Sequence, residues 1–291
     1  MKPKTSMLAA LFCAISLVSS SVFSQDVTVV APRESGEAAD GLDLQAVAEL
    51  FKDAKDLEEF EKSLNDPEIG VNNLDLDDNG DVDFIRVMEE ASDDARVIVL
   101  QVPLGENEFQ DVATIEVEKN GEEDYNMQIR GNEVIYGPEY YISPVEVHVH
   151  PWPIFGWMFR PVYHPFRSAF YFGFYPNWWH PWRAVHVNVY RTRTVRFTTR
   201  TTFHVTHVTR VTRVTRVNYH ASSSTLVRKQ TRVSHSGHER TTTVKAGKVE
   251  VHNPKTGKET TVKGVKKTTK TEHGTKTTVK AKKTTREKPK N

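Results

Sequence analysis

Asp75, Asp77, Asn79, Asp81 and Asp83 stand at alternate positions around Gly80, and here the spacing of side chains specifies a chemistry. Carboxylate and amide oxygens two residues apart, the Asp81 carbonyl and a glycine at the sharp turn are what a calcium ion takes as its flexible oxygen shell. The carboxylate that would close the shell is missing. Arg86 stands in its place, and Glu89 and Glu90 are the nearest substitutes. The competing reading is an Asp-Asn-Gly turn leading into a strand on an acidic surface. Calcium is therefore the one cofactor the sequence suggests, at a weak site.

A second constellation is aromatic. Trp178, Trp179 and Trp182 lie among arginines and histidines, and such rings stack on sugars or bases. Against this, the same rings could pack on a neighbouring domain or a second copy of the chain. His148 and His150 would face one side of an extended segment, with His164, His180 and His186 nearby, but no spacing among them is specific for a transition metal. Catalytic patterns are absent: there is no nucleophile elbow, no phosphate-cradling glycine loop and no metalloprotease helix. The acidic region holds no histidine, so no Ser/His/Asp set can form inside it. The expectation is a protein that is not an enzyme.

These residues sit in a chain of 291 residues whose net charge of +1 hides two opposed halves. Residues 25–146 carry 33 Asp and Glu against 8 Lys and Arg, whereas residues 147–291 carry 5 against 29. All five tryptophans lie between Trp152 and Trp182. At the start, Lys2 and Lys4 precede the apolar run 7–18, and Val22 and Ser24 suit a cut before Gln25. Residues 1–24 thus read as a cleavable signal peptide, and the mature chain as a secreted, periplasmic or outer-surface protein with no transmembrane segment. Its single cysteine, Cys13, leaves with the signal, which excludes disulfides and catalytic thiols.

Residues 25–41 read as a linker. From Leu42, apolar residues recur at three- and four-residue steps through Leu64, with a break near Lys55 where Asp56 and Glu59 resemble a capping pair. Asn65, Asp66 and Pro67 end the helical region. Strand-like runs follow at 82–88, 96–103, 112–118, 125–130 and 133–136, separated by Asp-, Asn- and Gly-rich turns. The expected fold class is α+β: one or two helices packed on a four- or five-stranded antiparallel meander over residues 42–142.

Residues 143–190 are rich in His, Pro and aromatics, with His150-Pro151-Trp152, His164-Pro165-Phe166 and His180-Pro181-Trp182 as an approximate repeat. So many prolines forbid long helices and central strands. Residues 191–219 form a Thr/Val/Arg extended repeat. Its triplet run over 205–217 does not match the two-residue period of a strand. Residues 220–291 have no Trp, Phe or Tyr and read as a basic, low-complexity tail, largely disordered or extended. The exception is a local hairpin pairing 249–251 with 260–262.

The run from Asp75 to Asp83 resembles an EF-hand or dockerin-type calcium loop. The stretch from Leu42 through Glu61, with 74–80, 84–87 and 97–103, resembles a group of uncharacterised secreted bacterial proteins, over about residues 40–190. Their tails are likewise rich in His-Pro-aromatic and basic Thr/Val repeats. That resemblance implies secretion and this architecture, and implies no activity. The function expected from the sequence is a secreted envelope or matrix protein whose basic tail binds anionic polymers or a cell-envelope surface. Self-association between the acidic and basic halves competes with that binding. A glycan-binding accessory module using Trp178, Trp179 and Trp182 is the alternative.

Overall fold

The computed structural model describes residues 41–146, 152–216, 225–233, 239–253, 258–271 and 273–287. The expected signal peptide, the expected linker up to residue 40, His148 and His150 lie outside them.

Asp43 opens α1 (Leu44–Asp53) by accepting the backbone N–H groups of Gln45 and Ala46 at 2.9 and 3.3 Å. After a break, α2 (Leu57–Leu64) starts at Asp56, whose carboxylate accepts from Glu59 N at 2.8 Å. Glu59 reaches back to Lys55 N at 2.9 Å, so the two helices and the capping pair stand where the periodicity put them. Asn65 stops α2 and ties it to the sheet: its amide donates to the Glu61 and Ile85 carbonyls, and its oxygen accepts from Ile85 N.

The sheet is antiparallel and has six strands in chain order: β1 (Arg86–Ala91), β2 (Ala95–Gly105), β3 (Glu108–Lys119), β4 (Tyr125–Gly131), β5 (Tyr141–Pro144) and β6 (Phe203–Thr206). β1 overlaps the expected run 82–88 only at 86–88, and the next three strands match the expected runs. The fifth does not: Glu133–Tyr136 is a short helix, α3, because Asn132 caps it through Val134 N at 2.9 Å. A four-residue run carries no period long enough to tell helix from strand. One face of the sheet, with Ile98, Leu100, Ile115, Val117 and Ile129, shares a core with α1 and α2. That core also takes Ile154, Phe155 and Met158 from α4 (Pro153–Met158), Phe197, and Phe203 of β6.

Two segments overrule the extended reading of 191–219. Val187–Thr198 is a helix, α5, with Val187, Tyr190, Thr194 and Phe197 buried at helical spacing. Burial of this stripe outweighs the modest helix penalty of its β-branched residues. Tyr190 fastens it, accepting from Asp43 N at 2.7 Å and donating to the Val71 carbonyl at 2.8 Å. Farther on, Val211 and Val214 are buried against Ala95, Val97 and Val99 on the second face of the sheet, and Arg213–Arg216 is a 3₁₀ helix. Three residues per 3₁₀ turn is the period of the Val-Thr-Arg triplet.

The tail forms a second antiparallel sheet in the order β10-β9-β8-β7: β7 (Thr225–Val233), β8 (Glu239–Asn253), β9 (Lys258–Thr271) and β10 (Gly274–Glu287). The expected hairpin is its centre, with Val249 opposite Val262 and Val251 opposite Thr260. Of the two expected states of the tail, disordered or extended, the flanking strands take the extended one. Thr and Val favour a pleated backbone, and the ladder satisfies backbone groups without any aromatic core.

Candidate functional site

The Asp-rich loop is shaped by its own side chains. Asp77 accepts from the backbone and side-chain nitrogens of Asn79 at 3.0 and 2.9 Å, and Asn79 Oδ1 accepts from Asp81 N at 2.6 Å. Asp83 turns inward to accept from Leu76 N at 2.5 Å, and Asp75 is buried. The chain reverses through Gly80 at φ +90°, left-handed backbone that glycine adopts freely. A Cβ there would also stand 2.9 Å from Arg183 Nη1.

That arginine belongs to the aromatic segment, so the two constellations are one place. Arg183 Nε lies 3.4 Å from Asp81 Oδ1. Backbone bonds zip the two stretches together, from Val82 N to the Trp182 carbonyl at 2.8 Å and from Ala184 N to the Gly80 carbonyl at 3.1 Å. Asn73 clamps Val185 through both its side-chain atoms at 2.8 and 2.9 Å. Several oxygens of the turn serve the turn itself, and Arg183 is the cation beside it. Among the described residues no group of three or more His, Cys, Asp or Glu is arranged to hold a metal. His164, His180 and His186 are each exposed.

At its other end the aromatic segment pairs with the edge of β1, through Glu89 N to the Phe166 carbonyl at 2.8 Å and Ser168 N to the Val87 carbonyl at 3.0 Å. Between these seams the residues gather over Phe84, whose ring lies 5.3 Å from Trp179, 5.7 Å from Phe170 and Tyr175, and 6.3 Å from Trp178. The three tryptophans divide. Trp179 is 7% exposed and belongs to the packing, Trp182 is half-buried 6.3 Å from it, and Trp178 is 44% exposed with Lys62 Nζ 5.8 Å from its ring. Sequence reasoning missed the rest of the exposed aromatic surface. Tyr171 and Phe174 exchange backbone hydrogen bonds at 2.9 and 3.1 Å around Gly173 (φ +80°), leaving both rings and Phe172 exposed. The signal was there in a glycine flanked by aromatics at 171–174. Burial, joined by the nearby Asp83 and Asp77 carboxylates, raises the Tyr175 hydroxyl above the ordinary phenol range.

Buried polar groups hold this lobe on the sheet. Glu89 accepts the Tyr163 hydroxyl and the Phe166 N–H at 2.8 Å, and Arg96 Nε lies 3.5 Å from its other oxygen. The Arg96 guanidinium lies 4.3 Å from the Phe159 ring centre and 5.4 Å from that of Tyr163. Burial raises the Glu89 carboxyl and the Tyr163 hydroxyl and lowers the Arg96 guanidinium. On α2, burial pushes Glu61 up to about 7, although it accepts from Val87 N at 2.7 Å.

Residues 147–216 contain ten arginines and no Lys, Asp or Glu, and several arginines reach the acidic side. Arg167 pairs with Glu90 at 2.8 Å, Arg200 with Glu49 and Asp53 at 3.3 Å, and Arg213 with Asp94 at 2.9 Å and Glu118 at 3.7 Å. Glu49 and Glu118 are buried, so these cations offset desolvated charge and are more than surface decoration. The chain matches no protein-family model, no curated protein and no solved structure.

Proposed function

We propose that this chain is an extracytoplasmic, non-enzymatic binding protein whose basic tail holds anionic polymers or an envelope surface. The observation that supports it best is the placement of charge along the fold. Several arginines of 147–216 serve the acidic domain from within the fold, whereas residues 217–291 carry 19 Lys and Arg against 5 Asp and Glu, and β7 to β10 form a sheet of their own. A net +14 on so few residues attracts polyanions by counterion release, without sequence preference. At low ionic strength the tail's contact with its own acidic domain competes, since tethering keeps the two at high effective concentration. The test is binding of the full-length protein to an acidic polysaccharide and to DNA across a salt series. Affinity should fall steeply with salt for both, and binding that is flat in salt overturns the proposal.

The exposed rings of Tyr171, Phe172, Phe174 and Trp178 favour a second reading, glycan recognition by stacking. That binding would be sugar-specific and salt-tolerant, and would be lost in Trp178→Ala.

A further inference from the structure

Strand register distributes the tail's charge unequally between the two faces of its sheet. The pairings Lys248↔Lys263 and Lys263↔Lys282 set three lysines in one row across β8, β9 and β10. Neighbouring strands are about 4.8 Å apart, so the row is roughly 10 Å long. Residues two steps away along each strand fall on the same face. By this alternation the face holding the row takes ten Lys and Arg and two Glu. The opposite face takes six Lys, two Glu and most of the valines. Lys267, Lys276 and Lys280, all exposed, share the first face with the row.

Like charges directly opposite one another on a sheet destabilise it. Three lysines at directly opposed positions make a line of positive charge that an anion laid across the strands would offset. We infer that this face is the docking surface for an acidic polysaccharide, bound across the strands as a flexible chain carrying one charge per sugar ring. The inference rests on the reading of the tail as an anionic-polymer binder and gives that reading a surface and a ligand class. Two further features favour a polysaccharide over nucleic acid. Residues 220–291 have no Trp, Phe or Tyr, the large rings on which bases stack best. The same face interleaves its cations with threonines, among them Thr269 and Thr278, whose hydroxyls both donate to and accept from sugar hydroxyls.

The experiment uses the full-length protein with polygalacturonate as the polysaccharide and duplex DNA as the rival. Lys248→Gln/Lys263→Gln/Lys282→Gln removes the row. Lys245→Gln/Lys266→Gln/Lys283→Gln removes the same charge from the opposite face. At roughly 0.7 per contact, as for single-stranded polyanions, the first triple should flatten the dependence of log K on log salt by roughly 2, and the second should leave it near wild type. Acetylation footprinting of the unaltered protein supplies a readout independent of how the variants fold, and polygalacturonate should shield Lys248, Lys263 and Lys282 above Lys245, Lys266 and Lys283. Equal losses from the two triples with equal shielding overturn the face assignment and leave the tail reading intact. Tighter binding to DNA than to polygalacturonate overturns the ligand class. No binding of the unaltered protein to either polymer at low salt removes the tail reading itself.

Discussion

Glu61 is a carboxylate the fold keeps neutral to an unusually high pH. It is 3% exposed on α2, and burial pushes its carboxyl from 4.5 up to about 7; hydrogen bonds from Ser168 and Val87 N only partly offset this. The unfolded chain releases this proton near 4.5, the folded chain near 7. Between those values the native state binds more protons, so this residue's contribution is fully present below 4.5 and is lost as pH rises through 7. At 1.36 kcal/mol per pH unit the loss is about 3 kcal/mol. Glu61→Gln abolishes the titration, and its carbonyl oxygen can still accept from Val87 N. Relative to wild type, the variant should gain up to about 3 kcal/mol on going from pH 4.5 to pH 8. Urea denaturation followed by tryptophan fluorescence reads this, since all five tryptophans lie in the segment 152–182, which docks on the acidic domain. The difference between the two proteins matters more than either curve, because buried Glu89 shifts in the same direction. Stability curves that run parallel across this range would show that Glu61 ionises at little cost in the fold, and the burial account would be wrong.

Other outcomes follow from the same geometry. Tyr163→Phe withdraws a hydroxyl from buried Glu89 and should cost roughly 2–3 kcal/mol in urea melts; a loss below about 0.5 kcal/mol, the scale of ordinary surface substitutions, would count against the cluster. Trp179→Ala should destabilise by about 3–5 kcal/mol as a core truncation, while Trp178→Ala should leave the melt nearly unchanged and lower only sugar binding in glycan titrations. Calcium bound at Asp75, Asp77, Asn79, Asp81 and Asp83 would raise the melting temperature by mass action. Because Arg183 lies beside Asp81, the rise in millimolar calcium should be larger in Arg183→Ala than in wild type, and no rise in either protein would dispose of the calcium reading.

The helix pair, β2 to β4 and the tail hairpin were legible because each carries its own period or turn chemistry. Leu44 to Leu64 repeats at helical steps, Asp43 and Asp56 cap through their own neighbours, and Asn and Gly mark the turns. The division of the tryptophans was not legible. Trp178 and Trp179 are adjacent in the chain, and only the folded packing of Phe84, Tyr175 and Trp182 around Trp179 decides which is covered. Nor could the sequence show that the Asp-rich loop and the aromatic segment meet, since the bonds from Val82 to Trp182 and from Asn73 to Val185 span about a hundred residues.

The amino-acid sequence by itself determined the charge division, the local caps and turns, and the pairing at the centre of the tail, because these depend on residues close together in the chain. Tertiary structure alone decided that Val187–Thr198 is a helix, that Arg213–Arg216 is a 3₁₀ turn, and that β6 completes a sheet begun more than a hundred residues earlier. In each case local preference is weak or points to an extended chain. Burial of Tyr190 and Phe197 in α5, and of Val211 and Val214 against β2, removes apolar surface from water and outweighs that preference.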